Sequence, residues 1–337
     1  MNFSSRRAFL KRSGLVGAGV LFSGPLVGAA RALSAGGEGK YLEARAFYSM
    51  STVIEVVAVG ERREKLPTAC EAAFRECGKV DRAMNFYGPQ SELTRLNELA
   101  ATGKWIEVSP PLLAVLREAK KVYEDSEGAF DPTVGSSVLL FRSARQKNEW
   151  PSEEEIEKSR KGLRFFSVEI DEPNRRVRFG NKGTLLDLSG IAKGYAVDEA
   201  VRAMREAGAS GGIVNAGGNL FVFGPAIEKL PPVSIQDPFD PEKNLRTLAI
   251  LEEGLATSGD YEQGVLVQGR PCSHLLDPAT GRPCESGIGS ASARAQTAMR
   301  ADAWSSALYI RPELARKRAV ASFLVLAPAK TLASSGF

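Results

Sequence analysis

The spacing of apolar and polar residues changes along the chain between the two-residue period of strands and the ~3.6-residue period of helices. Residues 46–59 (AFYSMSTVIEVVAV) are rich in β-branched side chains and predict a strand. Apolar residues recur at helical spacing over residues 66–84. Residues 111–125 form an amphipathic pattern with proline at its start and Gly128 beyond its end. The first part of the chain is therefore predicted to combine a strand with long helices.

Further helix starts are marked by hydroxyl side chains that can accept hydrogen bonds from free backbone N–H groups. Ser91 is predicted to open a short helix over SELTRLNELA. Ser152 and Glu155 have the spacing of a capping box at the start of an acidic helix over residues 153–161. Residues 298–310 are the last predicted helix.

Several strands are predicted to follow one another directly. FFSVEIDEPNRRVRFG has the pattern of a hairpin around Glu172-Pro173-Asn174, and GGIVNAGGNLFVFG that of two strands joined at a Gly-Gly turn. TLLDLSG is predicted to be a buried strand that runs into the helix GIAKGYAVDEAVRAMREAG. Strands outnumber helices and are often consecutive, which favours an α+β fold with mixed, largely antiparallel sheets and packed helices over a doubly wound sheet.

The N-terminal segment has the pattern of an export signal. Ser5, the pair Arg6-Arg7, two apolar residues and Lys11 match the twin-arginine motif, and a short, glycine-rich apolar run follows. The alternatives are an uncleaved N-terminal anchor and a chance basic start. We expect residues 1–35 to be a Tat signal peptide that directs the protein to the periplasm or the outer face of the cytoplasmic membrane. Residues 36–337 would then form a single domain, or two intertwined subdomains.

The charge distribution argues against a nucleic-acid partner. The net charge of the whole chain is +4. The first 34 residues hold no acid but several basic residues, namely Arg6, Arg7, Lys11, Arg12 and Arg31. The remainder is therefore close to neutral and lacks the basic footprint of nucleic-acid binding.

The cysteines and the single histidine restrict the possible metal sites and disulfides. Cys70 and Cys77 fall on one predicted helix, about 10 Å apart along its axis, which is too far for a bond between them. Cys272 and Cys284 flank a turn-rich stretch and either pair in an oxidising compartment or remain thiols. His274 is the only histidine, so a multi-histidine metal site is excluded.

Two segments suggest phosphate and metal chemistry. In LDLSGIAKGYAVD, Ser189 and Gly190 precede a predicted helix start, where free N–H groups and Lys193 would favour a phosphate; a plain strand-to-helix turn is the alternative. In MRADAWSSAL, Asp302 and Ser306 share one helix face and could hold Mg²⁺, unless Asp302 only supports the helix N-terminus. Walker and GxGxxG motifs are absent.

The remaining motifs have structural explanations when each is taken alone. NAGGN has the composition of a hairpin turn, Asp131-Pro132 in GAFDPTVG that of a loop turn, and Phe130 is an ordinary core residue. HLLDPATGRP contains His274, which could be structural or a ligand.

Together these motifs resemble a known family. MSTVIEV, MNFYGPQSELTRLN, GAFDPTVG, LDLSGIAKGYAVD, IVNAGGNLFVFG, ATSGDYE with HLLDPATGRP, and ADAWSSAL occur in the order of the ApbE family, the FAD:protein FMN transferases. The resemblance covers residues 46 to about 310. It implies an ApbE-like fold, FAD as substrate, Mg²⁺ as cofactor, and an acceptor flavoprotein, such as a membrane redox complex subunit or a respiratory flavoprotein.

The resemblance also implies a set of site residues. Those that would bind FAD are Met50 and Tyr87 at the flavin, Ala129, Phe130 and Asp131 at the adenosine, Ser189 and Lys193 at the pyrophosphate, and Thr257, His274 and Leu276 around the rest of the site. Mg²⁺ would be held by the Ala192 carbonyl and the side chains of Asp302 and Ser306. Asp302 would in addition help to deprotonate the attacking hydroxyl, although the sequence does not identify the general base.

The chain departs from the family at three of its motifs. The family usually has glycine at Ser51, glycine at Ser189 and threonine at Ser306. Serine keeps the hydroxyl ligand at Ser306 but loses the methyl group that stiffens threonine. These departures keep two alternatives open, namely a non-catalytic FAD carrier or accessory protein and an FAD pyrophosphatase that uses water in place of an acceptor.

Overall fold

The computed structural model describes residues 20–21, 41–225, 230, 232–259, 265–317, 320–327, 330–334 and 336–337. Apart from Val20–Leu21, the predicted signal segment lies outside these residues. None of the helices within the described ranges combines the length and the apolar character needed to cross a bilayer.

Strands and helices alternate irregularly along the chain. The strands are β1 Val20–Leu21, β2 Tyr41–Ser49, β3 Thr52–Gly60, β4 Ile106–Glu107, β5 Val168–Asp171, β6 Arg176–Phe179, β7 Gly211–Ala216, β8 Asn219–Phe223, β9 Val233–Asp237, β10 Asp240–Leu248, β11 Glu253–Gly259, β12 Val265–Val267, β13 Arg270–Cys272, β14 Leu276–Asp277, β15 Arg282–Pro283, β16 Ser290–Ala295, β17 Ala321–Ala327 and β18 Lys330–Ala333. The α-helices are α1 Leu66–Met84, α2 Glu92–Ala100, α3 Pro110–Asp125, α4 Gly135–Lys147, α5 Glu153–Arg160, α6 Ala192–Glu206 and α7 Ala298–Ile310.

One eight-stranded sheet organises the fold. Its order is β18-β17-β16-β11-β8-β7-β3-β2, and each neighbouring pair is antiparallel. Smaller sheets pair β1 and β10 with β9, β4 and β5 with β6, β12 with β13, and β14 with β15. The predicted α+β class with largely antiparallel sheets is confirmed.

Both faces of the large sheet are buried along its central strands, and β3 shows how its sequence allows this. Ile54, Val56 and Ala58 face the core formed with the helices, whereas Val57 and Val59 belong to a second core on the opposite face. Successive strand residues point to opposite faces, so a strand covered on both sides must be apolar throughout. The helices that carry the motifs of the sequence therefore pack against one face of the sheet.

Most predicted helices are confirmed because local signals fix their ends. The helix predicted over 66–84 is α1, and Ser91 caps α2 by accepting a hydrogen bond from the backbone of Thr94 at 3.0 Å. The capping box at Ser152 and Glu155 is present at the start of α5. The hairpins β5–β6 and β7–β8 also form as predicted.

The prediction of a single strand over residues 46–59 is wrong. The segment turns at Met50 and Ser51, and β2 pairs with β3 as a hairpin in which Ser49 lies opposite Thr52. Both turn residues are left-handed, with φ of 51° and 62°. Two such residues form the turn whose twist matches that of the flanking strands, although asparagine and glycine are its usual occupants.

The predicted strand TLLDLSG is also absent from the sheets. Leu185 makes only an isolated bridge to Val134, and the segment pairs instead with the GAFDPTVG loop, where Asp187 N donates to the carbonyl of Pro132 at 2.7 Å. The segment is rich in leucine because Leu186 and Leu188 are buried in the core formed with the helices. The apolar run reflects burial in the core, and it was therefore mistaken for the pattern of a buried strand.

The four cysteines are buried. Cys70 and Cys77 lie on α1 as predicted, and burial raises the pKa of each thiol to about 12. Cys272 and Cys284 are thiols as well, and the Sγ of Cys284 donates to the carbonyl of Tyr309 at 3.9 Å. The disulfide between Cys272 and Cys284, one of two alternatives, is thus not formed.

Candidate active site

Two turns meet at one end of the large sheet. The β2–β3 turn at Met50–Ser51 lies beside the β7–β8 turn at Gly217–Gly218, because Ile54 pairs with Ala216. A Cβ atom added to Gly217 would lie 2.5 Å from Oγ1 of Thr52, and its φ is +58°. Glycine is required there for both reasons, so that the two motif turns can touch.

Asp81 connects the turn of Met50 to the loop of Tyr87. Its Oδ2 accepts hydrogen bonds from Ser49 Oγ and Met50 N, both at 3.1 Å, and its Oδ1 accepts one from Asn85 Nδ2 at 3.1 Å. Asn85 Oδ1 in turn accepts from Tyr87 N at 2.9 Å. The two residues predicted to contact the flavin are thus fixed by one carboxylate. Sequence reasoning missed Asp81, which lies in the last turn of an ordinary amphipathic helix.

The segment before α6 forms a compact polar turn. The backbone N and Oγ of Ser189 both donate to Asp187 Oδ1, at 2.8 and 2.6 Å, and Lys193 Nζ donates to the carbonyl of Ser189 at 2.9 Å. Burial raises the pKa of Asp187, while the bonds from Ser189 and the charge of Lys193 oppose that rise. Ser189 and Lys193 therefore lie together at the helix start, as expected of a phosphate site.

Asp302 projects from α7 to the first turn of α6. Its side chain is buried, and its Oδ2 accepts a hydrogen bond from Gly194 N at 2.9 Å. A Cβ atom on Gly194 would lie 2.2 Å from the carbonyl oxygen of Ala298, so only glycine allows the two helices to approach this closely. Burial raises the pKa of Asp302, and Lys193 and the N–H of Gly194 oppose the rise. The carboxylate of Asp302 thus contacts the first turn of α6, which begins at Ala192.

Asp198, one turn after Gly194 on the same face of α6, also holds the two helices together. Its two carboxylate oxygens accept hydrogen bonds from the backbone N–H groups of Ala298, at 2.8 Å, and Met299, at 2.9 Å. These are free donors at the start of α7, so Asp198 of α6 caps a neighbouring helix. Burial raises its pKa to about 7. Asp302 is therefore positioned by a junction that is bonded at two points.

Ser306 is part of a chain of hydroxyl groups. Its Oγ lies 3.4 Å from Oγ of Ser258 on β11, which lies 2.8 Å from Oγ of Ser305. Ser305 Oγ donates to the backbone carbonyl of Asp302 at 2.9 Å. Neither Ser258 nor Ser305 belongs to the site residues predicted from the sequence. The alternation of side chains along β11 could have identified Ser258 as the hydroxyl that faces α7.

Thr257 points away from this group. Its Oγ1 lies 2.7 Å from Oγ of Ser292, the residue opposite it on β16. Its neighbour Leu255, on the same face of the strand, belongs to the core on the far side of the sheet. The structure therefore does not bring the Thr257 hydroxyl to Asp302 and Ser306.

The GAFDPTVG loop reaches the same place through Phe130. A Cβ atom on Gly190 would lie 3.3 Å from the ring of Phe130 and 3.5 Å from Oγ of Ser306, which shows how close the three residues are. Ala129 is fully buried. Asp131 is also buried, and its carboxylate accepts bonds from Thr133 and from the backbone N–H groups of residues 164 and 165. The carboxylate of Asp131 therefore stabilises the loop by accepting these hydrogen bonds.

The loop that carries His274 is attached to α4. Arg145 Nη1 donates to the carbonyl of Ser273 at 3.1 Å, and Leu276 is buried against the apolar face of α4. His274, which lies between Ser273 and Leu276 in the sequence, is half-buried. Helix α4 was not predicted, because its first residues, Gly-Ser-Ser, resemble a turn.

The three oxygen atoms that the resemblance assigns to Mg²⁺ are of the kind that this ion prefers. They are Asp302 Oδ1, which accepts no hydrogen bond from the described residues, the hydroxyl of Ser306 and the backbone carbonyl of Ala192. All are hard oxygen ligands, and Mg²⁺ is typically bound by one or two carboxylates, waters and substrate phosphates. The described part of the chain holds no cluster of three or more His, Cys, Asp or Glu side chains. A metal bound jointly with a diphosphate needs no such cluster.

Comparison with known sequences shows that the chain is similar to FAD:protein FMN transferases. Residues 50–325 match the model of the ApbE family. The chain is 30% identical over 283 residues to the FAD:protein FMN transferase of Escherichia coli (strain K12), covering 81% of this chain and 78% of that protein. It is 30% identical over 293 residues to the enzyme of the same name from Salmonella typhimurium, covering 82% of each chain.

Solved structures show the same fold. The ApbE protein of Thermotoga maritima superimposes with a TM-score of 0.78 at 28% identity, covering 87% of this chain and 97% of that one. The apo form of the flavinyl transferase ApbE of Pseudomonas stutzeri gives a TM-score of 0.75 at 26% identity, covering 88% and 95%. The resemblance stated from the motifs is thereby confirmed.

Proposed function

The chain belongs to the ApbE family, and we propose that it uses Mg²⁺ to split FAD and to attach FMN to another protein. Its class, a transferase that acts as an FAD:protein FMN transferase, follows from the family and its named relatives. The proposal adds the metal requirement, a phosphoester bond to a threonine or serine of the acceptor, and the release of AMP.

The observation that supports this proposal most strongly is the junction of α6 and α7. Asp302 meets the first turn of α6 through Gly194, and the same turn carries Lys193, whose ammonium group contacts Ser189. A carboxylate suited to a hard cation thus lies beside a helix start and an ammonium suited to phosphate. The start of α6 and Lys193 would bind the diphosphate, and Asp302 beside them would bind Mg²⁺.

In the reaction, the acceptor hydroxyl oxygen bonds to the phosphorus of the FMN half. The bond from that phosphorus to the bridging oxygen breaks, AMP leaves, and the hydroxyl proton passes to a base. Asp302, Ser306 and the Ala192 carbonyl would hold Mg²⁺, which when bound supplies neutralisation of the diphosphate charge. Lys193 and the N–H groups at the start of α6 orient the phosphates, and Asp302 is the candidate that assists deprotonation.

The proposal is tested by incubating the protein with FAD, Mg²⁺ and a threonine-containing acceptor protein. We expect AMP in the medium and covalent flavin on the acceptor by mass spectrometry. Release of AMP and FMN with no flavin on the acceptor would indicate a pyrophosphatase. Tight FAD binding with no AMP at all would indicate a carrier.

We also propose that the protein works outside the cytoplasm, on a membrane redox complex subunit or a respiratory flavoprotein. The motif Ser-Arg-Arg followed by an apolar run supports export by the Tat pathway. Replacement of Arg6 and Arg7 by lysine should leave the protein in the cytoplasm. Normal periplasmic accumulation of the double variant would contradict this route.

A further inference from the structure

Helix α4 contributes two arginines to the candidate site. Arg142 and Arg145 are one helical turn apart and so lie on the same face of α4. The guanidinium carbon of Arg142 is 3.8 Å from the centroid of the Tyr87 ring, and Arg145 donates to the carbonyl of Ser273, next to His274. One helix face therefore joins two distant predicted FAD contacts, Tyr87 and His274.

The two cations of the site, Lys193 and Arg142, differ in their charged surroundings. Lys193, the other cation of the site, faces two buried carboxylates, Asp187 and Asp302. Arg142 forms no ion pair with any residue in the described ranges and is half-buried. Burial raises the pKa of its neighbour Tyr87, as does the charge of Asp187, while Arg142 and Arg145 oppose that rise. A half-buried guanidinium without a carboxylate partner is suited to an anion from outside the chain.

The contact with Tyr87 occupies only part of the guanidinium group of Arg142, which carries five N–H donors. A guanidinium that lies over an aromatic ring uses its flat face, because the cation is attracted to the ring electrons. Its N–H donors lie in the plane and point sideways, in the fork that matches two phosphate oxygens. Tyr87 is half-exposed, so the pair faces solvent from which a ligand can enter.

We infer that Arg142 is a substrate-binding residue that holds the diphosphate of a dinucleotide such as FAD, with Tyr87 as its support. Arg145 is a positioning residue that fixes the Ser273 carbonyl and thereby the His274 loop. The inference rests on the proposed use of FAD and adds a residue that the sequence motifs do not contain. The inference predicts that Arg142 contributes to the affinity for ligands that carry phosphate groups and not to the affinity for the flavin ring.

The test compares ligands that share only parts of FAD. Dissociation constants for FAD, ADP and riboflavin are measured by calorimetry for the wild type, Arg142→Ala, Arg142→Lys and Lys147→Ala. Lys147 lies exposed on the same helix, so its replacement removes an equal charge away from the site. We expect Arg142→Ala to weaken FAD and ADP by about tenfold or more, Arg142→Lys to weaken them less, and riboflavin to change by less than about twofold.

Lys147→Ala should bind all three ligands within about twofold of the wild type, since exposed charges contribute little. Thermal unfolding of each variant checks that the fold is kept, and Arg142→Lys serves if Arg142→Ala does not fold. Equal affinity of wild type and Arg142 variants for FAD, or an equal loss for riboflavin, would overturn the inference while leaving the transferase proposal intact. A wild type that does not bind FAD would overturn both.

Discussion

The two halves of the candidate site are built in opposite ways. At the metal half, Asp302 is 3% exposed, and it is fixed by helices that only a glycine allows to approach. At the dinucleotide half, Tyr87 is 50% exposed, and it is attached through a loop and a cation–π contact. The first half is defined by close packing of the core, the second by polar contacts at the surface.

This contrast separates two requirements of the proposed reaction. The carboxylate must be held in a fixed position beside the phosphorus, since phosphoryl transfer depends on positioning and electrostatics. FAD must enter and AMP must leave, which requires an open edge. Substitutions in the buried half should therefore change catalysis or folding, and substitutions in the open half should change ligand affinity.

The largest effect is expected for Asp302→Asn. The amide keeps the volume and one oxygen but removes the charge toward Mg²⁺, so AMP release from FAD should fall by at least about 100-fold. FAD affinity without metal should change little, because the flavin contacts lie in the open half. AMP release is measured at several Mg²⁺ concentrations, and wild-type rates at every concentration would contradict the metal assignment.

Gly194→Ala should destabilise the junction of α6 and α7. The added Cβ would lie 2.2 Å from the carbonyl of Ala298, so one helix must shift, at a cost of about 1–3 kcal/mol in unfolding free energy. Gly78→Ala on α1 is the control, because its nearest atom is the mobile end of Arg82 at 3.4 Å. That control should gain about 0.5–1 kcal/mol. Denaturant unfolding that ranks the two variants equally would refute the packing argument.

Ser306 variants should change activity by smaller amounts. Ser306→Ala removes a neutral ligand and the contact with Ser258, so AMP release should fall about five- to tenfold, less than for Asp302→Asn. Ser306→Thr keeps the hydroxyl and has fewer rotamers to lose, so activity should stay equal or rise by up to a few-fold. The apparent Mg²⁺ affinity from the same titrations checks the cause. A larger loss for Ser306→Thr than for Ser306→Ala would argue against ligation by the hydroxyl.

The smallest expected effect concerns the turn at Ser51. Its φ of 62° is unfavourable for serine, so Ser51→Gly should raise the unfolding free energy by about 0.5–1 kcal/mol. Ser51→Ala keeps a Cβ atom and should bring no gain. Thermal unfolding of both variants measures the difference, and a gain from alanine equal to that from glycine would show that the turn is unstrained.

The sequence predicted the elements whose ends are marked by local chemistry. Capping residues and proline positions defined the helices, and the Gly-Gly turn defined the β7–β8 hairpin. The β2–β3 turn was missed because Met50 and Ser51 are not typical turn residues. The segment TLLDLSG was mistaken for a strand because its leucines are buried by the fold and not by a sheet.

The site was predictable where a motif supplies both the residue and its element. Asp302 and Ser306 share a helix face, and Ser189 and Lys193 surround a helix start, so their grouping followed from the motifs. Arg142 could not be found in this way, since α4 itself was not predicted. The motif that contains Thr257 does not state which face of its strand the side chain occupies, so its separation from Asp302 and Ser306 could not be predicted.

The central claim is that the junction of α6 and α7 transfers FMN with the help of Mg²⁺. The most direct measurement is flavin fluorescence of an acceptor protein after denaturing electrophoresis, with wild type and Asp302→Asn compared in Mg²⁺ and in EDTA. The account predicts a fluorescent acceptor only with wild type and Mg²⁺. Equal labelling by Asp302→Asn, or by wild type in EDTA, would contradict it.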